Sequence, residues 1–315
     1  MRDLLDEKIL KSKIEKAKSF YPEIEIDADK IILELKPFVE KLRPFIKDTI
    51  TEVNKLYSEG KKILIEGAQG LLLSIEFGTY PYVTSSDPSL NGTATGVGLC
   101  ARDVYPLGIV KFPFMTRVGG GPFPSELGGE KSESYCSEGL EHDIQFELNK
   151  YEIDFEVVDG NVKYNHVHPK IISLMNSDSD FEKGIGIRLA AEEYGATTGR
   201  PRRTGWTDLS ALKFATYFNS KNLILTKVDA IAGAKKFSLV EKYSNGEFVR
   251  DCNVLKDSKP ILKEFEGFNE DISQIKDYEN LPFGLKESID FLEKKVGANV
   301  KIVSVGPDQS ETIVR

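Results

Sequence analysis

Cysteine is scarce: Cys100, Cys136 and Cys252 are an odd number in 315 residues and lie far apart. Neither a disulfide framework nor a CxxC metal pair can be read from them, which points to a reducing cytoplasm. Long apolar runs are missing, so no membrane-spanning segment is expected. The opening "MRDLLDEKILKSKIEKAK" is charged throughout and does not have the apolar core of a signal peptide. Positive charge is in deficit, with 42 Lys and Arg against 50 Asp and Glu and a net charge of -8. That balance argues against a general nucleic-acid binder, so any anion site has to be local. No G-x-x-x-x-G-K-[ST] occurs, hence no recognisable phosphate-cradling P-loop. Histidine numbers three, His142, His166 and His168. "NHVHPK" spaces two of them as metal ligands would be, but no third ligand stands nearby and the stretch reads as a solvated loop. There is no internal repeat and no strong low-complexity tract.

What is present is ordinary globular material: 40% hydrophobic and 29% charged residues, with length for one large domain or two ordinary ones. Residues 3–18 have helical apolar spacing, and 29–58 read as helix interrupted near Pro37 and Pro44. "KKILIEG" (61–67), "LGIVKFPF" (107–114), "KNLILTKVD" (221–229) and "NVKIVSVG" (299–306) read as strands. "DLSALKFATYFNS" (208–220) and "LPFGLKESIDFLEKKVG" (281–297) read as helices, the second capped by Gly297. Strands alternating with helices predict an α/β fold with a mixed or largely parallel central sheet flanked by helices, and ligands at the carboxyl ends of its strands. The Ser/Glu/Asp/Gly-rich stretch 128–187 reads as an insertion or surface excursion.

Five segments draw attention by chemistry. In "EGAQG" (66–70), glycines flank Gln69, whose amide can face a base or sugar; the same stretch also fits a turn with Gln69 in solvent. Thr84, Ser85 and Ser86 offer hydroxyls to a phosphate or cap the next turn. "TRVGGGPFPSEL" (116–127) is a shaped loop directly after a strand. "EYGATTGRPRRTGW" (193–206) sets Arg200, Arg202 and Arg203 beside Thr197, Thr198 and Gly199, the donors that carboxylates and phosphates need, although a solvated charged surface is the commoner outcome. "LTKVD" (225–229) ends in a carboxylate able to accept from guanine's N1–H and amino group, a donor pair adenine lacks; it also fits a cap. "VSVGPDQSETI" (303–313) is a strand-to-turn junction whose backbone can reach a base.

These segments, with "GTYPYVTSS", occur in an order that closely resembles the adenylosuccinate synthetase family over nearly the whole chain except most of 128–187. The resemblance implies a P-loop-NTPase-like superfamily architecture lacking its P-loop segment. It also implies GTP-dependent ligation of IMP and L-aspartate to adenylosuccinate, in a cytoplasmic homodimer that uses Mg2+ and binds neither nucleic acid nor membrane. By motif match, Gln69, Thr84 and Arg200 correspond to IMP contacts. Ala196, Thr197, Thr198, Gly199, Arg200, Pro201 and Arg202 correspond to the aspartate-binding loop. Arg202, Lys227, Val228, Asp229, Ser304, Val305 and Gly306 correspond to GTP contacts, and Val118 borders the aspartate pocket. The family's N-terminal G-D-E-G-K-G-K segment, with its catalytic Asp and magnesium site, and a nearby His find no counterpart here. The expectation is therefore one incomplete domain over 1–315, helical over 1–58, with no catalytic or metal residue of its own and negligible turnover in isolation. A non-catalytic purine-nucleotide-binding module, and a related ligase acting on dGMP, stay open on the sequence.

Overall fold

Each α-helix among the described residues of the first sixty starts on an aspartate. In the computed structural model, which describes residues 2–315 except Thr197, with Leu140 described by its backbone only, Asp6, Asp27 and Asp48 cap α1 (Glu7–Lys18), α2 (Ala28–Leu42) and α3 (Thr49–Ser58). Each side chain accepts from backbone N–H groups of the first turn, satisfying donors that have no partner inside the helix. A 3-10 turn, Arg2–Leu5, precedes α1. The interruption expected near Pro37 does not occur: Pro37 lies inside α2, and the break falls at the 3-10 turn Arg43–Phe45 containing Pro44. Residues 2–64 with 97–99 form one compact unit, whose buried apolar side chains are few, Ala28, Ile32 and Val39.

The second unit spans Ile65–Gly96 and Cys100–Arg315. It contains a short α4 (Leu90–Gly96). Its four-stranded sheet runs β1 (Gly108–Lys111), β6 (Asn222–Thr226), β9 (Asn299–Ser304), β10 (Thr312–Val314) in spatial order. The first three are parallel and β10 is antiparallel to β9. β2 (Phe114–Arg117) pairs antiparallel with β5 (Arg203–Trp206). β3 (Phe155–Val158) and β4 (Asn161–Tyr164) make a hairpin, and β7 (Lys236–Tyr243) pairs with β8 (Pro260–Glu266). The helices are α5 (Gly129–Ser137), α6 (Ile144–Lys150), α7 (Pro169–Met175), α8 (Asp180–Ala190), α9 (Leu209–Thr216), α10 (Cys252–Lys256) and α11 (Phe283–Val296). The fold is α/β with a mixed, mostly parallel central sheet, as the alternation of elements predicts. α11 ends on Gly297 at φ +70°, the left-handed conformation that an L side chain resists.

Two expectations need correction. "KKILIEG" is no strand: residues 61–68 have no ladder partner among the described residues, and Leu64 is 95% exposed. An apolar run becomes a strand only where a neighbour satisfies its backbone groups. The stretch 128–187 is no surface excursion. Leu148, Ile153, Ile171, Leu174, Met175, Ile185 and Ile187 belong to the main core. Its polar residues cap helices and so do not mark a loop: Asp143 accepts from Phe146 N–H, and Ser179 caps α8. α8 lies against α7 across Gly186, where an added Cβ would stand 2.5 Å from the Met175 nitrogen.

Candidate functional site

The carboxyl ends of β1, β6 and β9 lie side by side because the three strands are parallel neighbours. Lys111 at the end of β1 registers with Thr226 at the end of β6, and Leu225 registers with Val303 on β9. The chain leaves β6 through Lys227, in the left-handed conformation at φ 59°, into the 3-10 turn Val228–Ile231. It leaves β9 through Ser304, Val305 and Gly306, so both segments expected to read guanine meet at one edge. Val228 and Val305 are buried in the core. Ser304 hydroxyl donates to Gly306 carbonyl at 2.9 Å, and Val305 N–H donates to Glu311 carbonyl at 2.9 Å, which closes the turn. Asp229 is half-buried; burial raises its carboxyl above the usual 3.8, with Lys227 and His166 pulling the other way.

The arginine loop hangs from α8 and returns into β5. Its feet are tied by Arg202 N–H donating to Glu193 carbonyl at 2.9 Å and Gly195 N–H to Arg200 carbonyl at 2.8 Å. Gly199 N–H donates to Gly195 carbonyl at 2.7 Å across the tip. The three arginines have three different environments. Arg200 is exposed beside Gly139, and its guanidinium makes no hydrogen bond among the described residues. Arg202 donates to the Glu193 carboxylate at 2.6 Å. Arg203 is buried and pairs with Glu126 through two bonds of 2.9 and 2.5 Å. Arg203 also donates to the carbonyls of Gly119 and Gly121, at 3.0 and 2.8 Å, so it shapes the glycine-rich loop. Ala196 and Thr198 are exposed on the loop, Pro201 is buried at its foot, and Thr197 lies outside the described residues.

Glu193 is wholly buried and sits at the centre of a cluster of cations. Lys111 Nζ and Arg202 Nη1 each donate to its Oε2 at 2.6 Å, and Lys227 Nζ lies 3.6 Å from Oε1. Burial pushes this carboxyl up, yet Lys111, Arg202 and Lys227 hold it below its usual 4.5. Burial, with Arg202 and Lys227 nearby, pushes the Lys111 ammonium down despite Glu193. Neither Lys111 nor Glu193 was singled out by sequence; the only signal was their position, at a strand end and at the root of the loop.

Gln69 has φ 69°, an uncommon conformation for a residue with a Cβ, and stands exposed just before the 3-10 turn Leu71–Leu73. Thr84 is half-buried, and its N–H donates to Leu73 carbonyl at 2.8 Å. Their segment is fixed to β2 by Arg117, which is buried and donates to Thr79 Oγ1 and to Gly120 carbonyl, each at 3.0 Å. Burial lowers the Arg117 guanidinium to about 10, which leaves it charged at neutral pH. Val118, just past β2, is exposed. An open cleft of about 1030 Å³ between Tyr80, Tyr82, Phe123 and Arg250 contains none of the residues matched to ligand contacts. Among the described residues no cluster of three or more His, Cys, Asp or Glu is placed to hold a metal ion, and no helix is long and apolar enough to cross a membrane.

Comparison with known proteins bears on this arrangement. The family model described as adenylosuccinate synthetase matches residues 1–313. An adenylosuccinate synthetase of Fusobacterium nucleatum is 35% identical over 328 residues, covering 99% of this chain and 65% of the relative. One from Caldanaerobacter subterraneus subsp. tengcongensis is 35% identical, covering 100% of this chain and 64% of the relative. The solved structure of fully ligated adenylosuccinate synthetase from Plasmodium falciparum is similar at a TM-score of 0.76 and 28% identity, over 98% of this chain and 63% of that one. The chain thus spans about two thirds of the length of the relatives it matches. A match along its whole length, at this identity and with the same fold, makes the chain a member of the adenylosuccinate synthetase family.

Proposed function

We propose that this chain holds GTP, IMP and L-aspartate for adenylosuccinate synthesis. In that reaction the γ-phosphoryl group of GTP is transferred to the 6-oxygen of IMP. The amino nitrogen of aspartate then forms a bond to C6 as the C6–oxygen bond breaks and phosphate departs. The observation that carries the reading is the meeting of Lys227–Asp229 and Ser304–Gly306 at the ends of adjacent parallel strands, next to the arginine loop. The Asp229 carboxylate accepts from N1–H and the amino group of guanine, while the 304–306 backbone borders the base. Arg202 and Lys227 face the anionic part of the nucleotide. Arg200, which has no hydrogen-bond partner among the described residues, reaches IMP, and Gln69 and Thr84 contact the same nucleotide. The tip of the arginine loop takes the aspartate carboxylates. Mg2+ would accompany the phosphates; among the described residues no cluster of three or more His, Cys, Asp or Glu is placed to hold it.

The test is calorimetric titration of the intact chain with GTP, ATP and IMP. GTP should bind and ATP should not. Asp229→Asn should weaken GTP by about tenfold to a hundredfold, the worth of a charged hydrogen-bond acceptor, and leave IMP unchanged. Equal loss for both nucleotides would remove the guanine assignment.

A further inference from the structure

The cluster around Glu193 holds more positive charge than the carboxylate needs. Lys111 comes from the end of β1, Arg202 from the foot of the arginine loop and Lys227 from the end of β6. Three cations face one carboxylate, and even with Asp229 set against Lys227 the cluster keeps a positive surplus in a chain of net charge -8. Arg202 alone would neutralise Glu193, and it already does so at 2.6 Å. The side chains of Lys111, Arg202 and Lys227 keep 29%, 28% and 40% of their surface exposed, whereas Glu193 keeps none. Three partly exposed cationic side chains therefore converge on one buried carboxylate. Glu193 Oε1 accepts no hydrogen bond among the described residues. The other acceptors on the heads are neutral: Thr116 Oγ1 takes a bond from Lys111 at 2.8 Å, and Ala191 carbonyl takes one from Lys227. A partly desolvated surplus of positive charge at parallel strand ends is a place for an oxyanion.

We propose that Lys111 is the third cation of an oxyanion site shared with Arg202 and Lys227, and that Glu193 is a positioning residue holding the three heads together. The identity of the oxyanion, a phosphate of GTP or a carboxylate of L-aspartate, rests on the function proposed above; the existence of the site does not. In this arrangement Glu193 collects side chains from three separate elements before any ligand arrives, which reduces the ordering cost of binding.

The experiment titrates the intact chain and its variants with tripolyphosphate, GTP, guanosine and L-aspartate by calorimetry at several salt concentrations. Lys111→Met should weaken an anionic ligand by about tenfold or more, flatten its salt dependence, and leave guanosine unchanged. Lys111→Arg should restore binding. Loss confined to tripolyphosphate and GTP identifies a phosphate, and loss confined to L-aspartate identifies a carboxylate. Glu193→Gln should weaken the same anion although it makes the cluster more positive; tighter binding would overturn the positioning role. If Lys111→Met does not fold, Lys111→Gln makes the same comparison. Wild-type affinity for every anion in a folded Lys111→Met variant would overturn the proposal, as would a wild-type chain that binds neither tripolyphosphate nor L-aspartate. A chain that binds tripolyphosphate through Lys111 but does not prefer GTP to ATP would keep this site and reject the guanine reading.

Discussion

Glu193 shows how one buried residue ties pH to stability. Its carboxyl is held below the ordinary value by three cations in spite of burial. A carboxylate with a depressed folded-state pKa stabilises the fold at neutral pH, and that stabilisation fades as pH falls from about 4.5 through the folded value. Glu193→Gln should therefore lower stability at pH 7, by about 3 kcal/mol if it behaves as a broken buried pair. The gap to wild type should narrow in acid; urea denaturation at pH 7 and pH 3.5 measures both, and a gap independent of pH would contradict the ion-pair account. The arginines make the limits of sequence plain at this scale. A run of guanidinium groups beside hydroxyls announces an anion site, but nothing in the order of residues says that Arg203 would turn inward to Glu126 while Arg200 stays exposed. Which way a side chain points depends on the element that follows: Arg203 opens β5 and is carried inward by the ladder with β2.

At the scale of elements, the support for the arginine loop comes from α6 and α8. Arg188 on α8 pairs with Glu147 on α6, both buried, with a closest approach of 2.6 Å. Tyr194 hydroxyl donates to the same carboxylate, and Arg188 Nη1 donates to Arg202 carbonyl at 3.0 Å. Removing one member of such a pair strands a buried charge, so Glu147→Ala should cost about 3–5 kcal/mol, visible as a lower denaturation midpoint. It should also weaken anion binding through Arg202. A loss below 1 kcal/mol would mean that the pair is solvated in solution. Glu147 belongs to the stretch that sequence placed on the surface. Acidic and serine-rich composition marks loops, but here the same residues cap helices and neutralise an inward arginine. The apolar run 61–67 fails in the opposite direction, since strand propensity says nothing about whether a partner strand is there. Of the strands that pair, β1, β6 and β9 were legible as apolar runs, whereas β3, β4, β5, β7, β8 and β10 were not read from the sequence.

At the scale of the molecule the two compact units are unequal. The unit of residues 2–64 and 97–99 exposes Phe20, Leu33, Phe38, Phe45 and Ile50 and buries few apolar side chains, while the other contains the continuous core. Local stability follows buried apolar contact, so amides of α1–α3 should exchange with deuterium far faster than those of β6, β9 and α11. Hydrogen-exchange mass spectrometry of the intact chain checks this, and equal protection would refute it. Fold class and family were readable across the whole length. The units were not, because helical periodicity locates an apolar face without revealing how much of it becomes covered. Gly186 has a consequence at this scale. The missing methyl group there works as a caliper: it fixes how far α8 slides along α7, and only a few residues separate the end of α8 from Glu193. The proposed grip on an anion at the strand ends is thus calibrated by one hydrogen atom in a helix crossing, so a packing change there should be felt as a defect in binding.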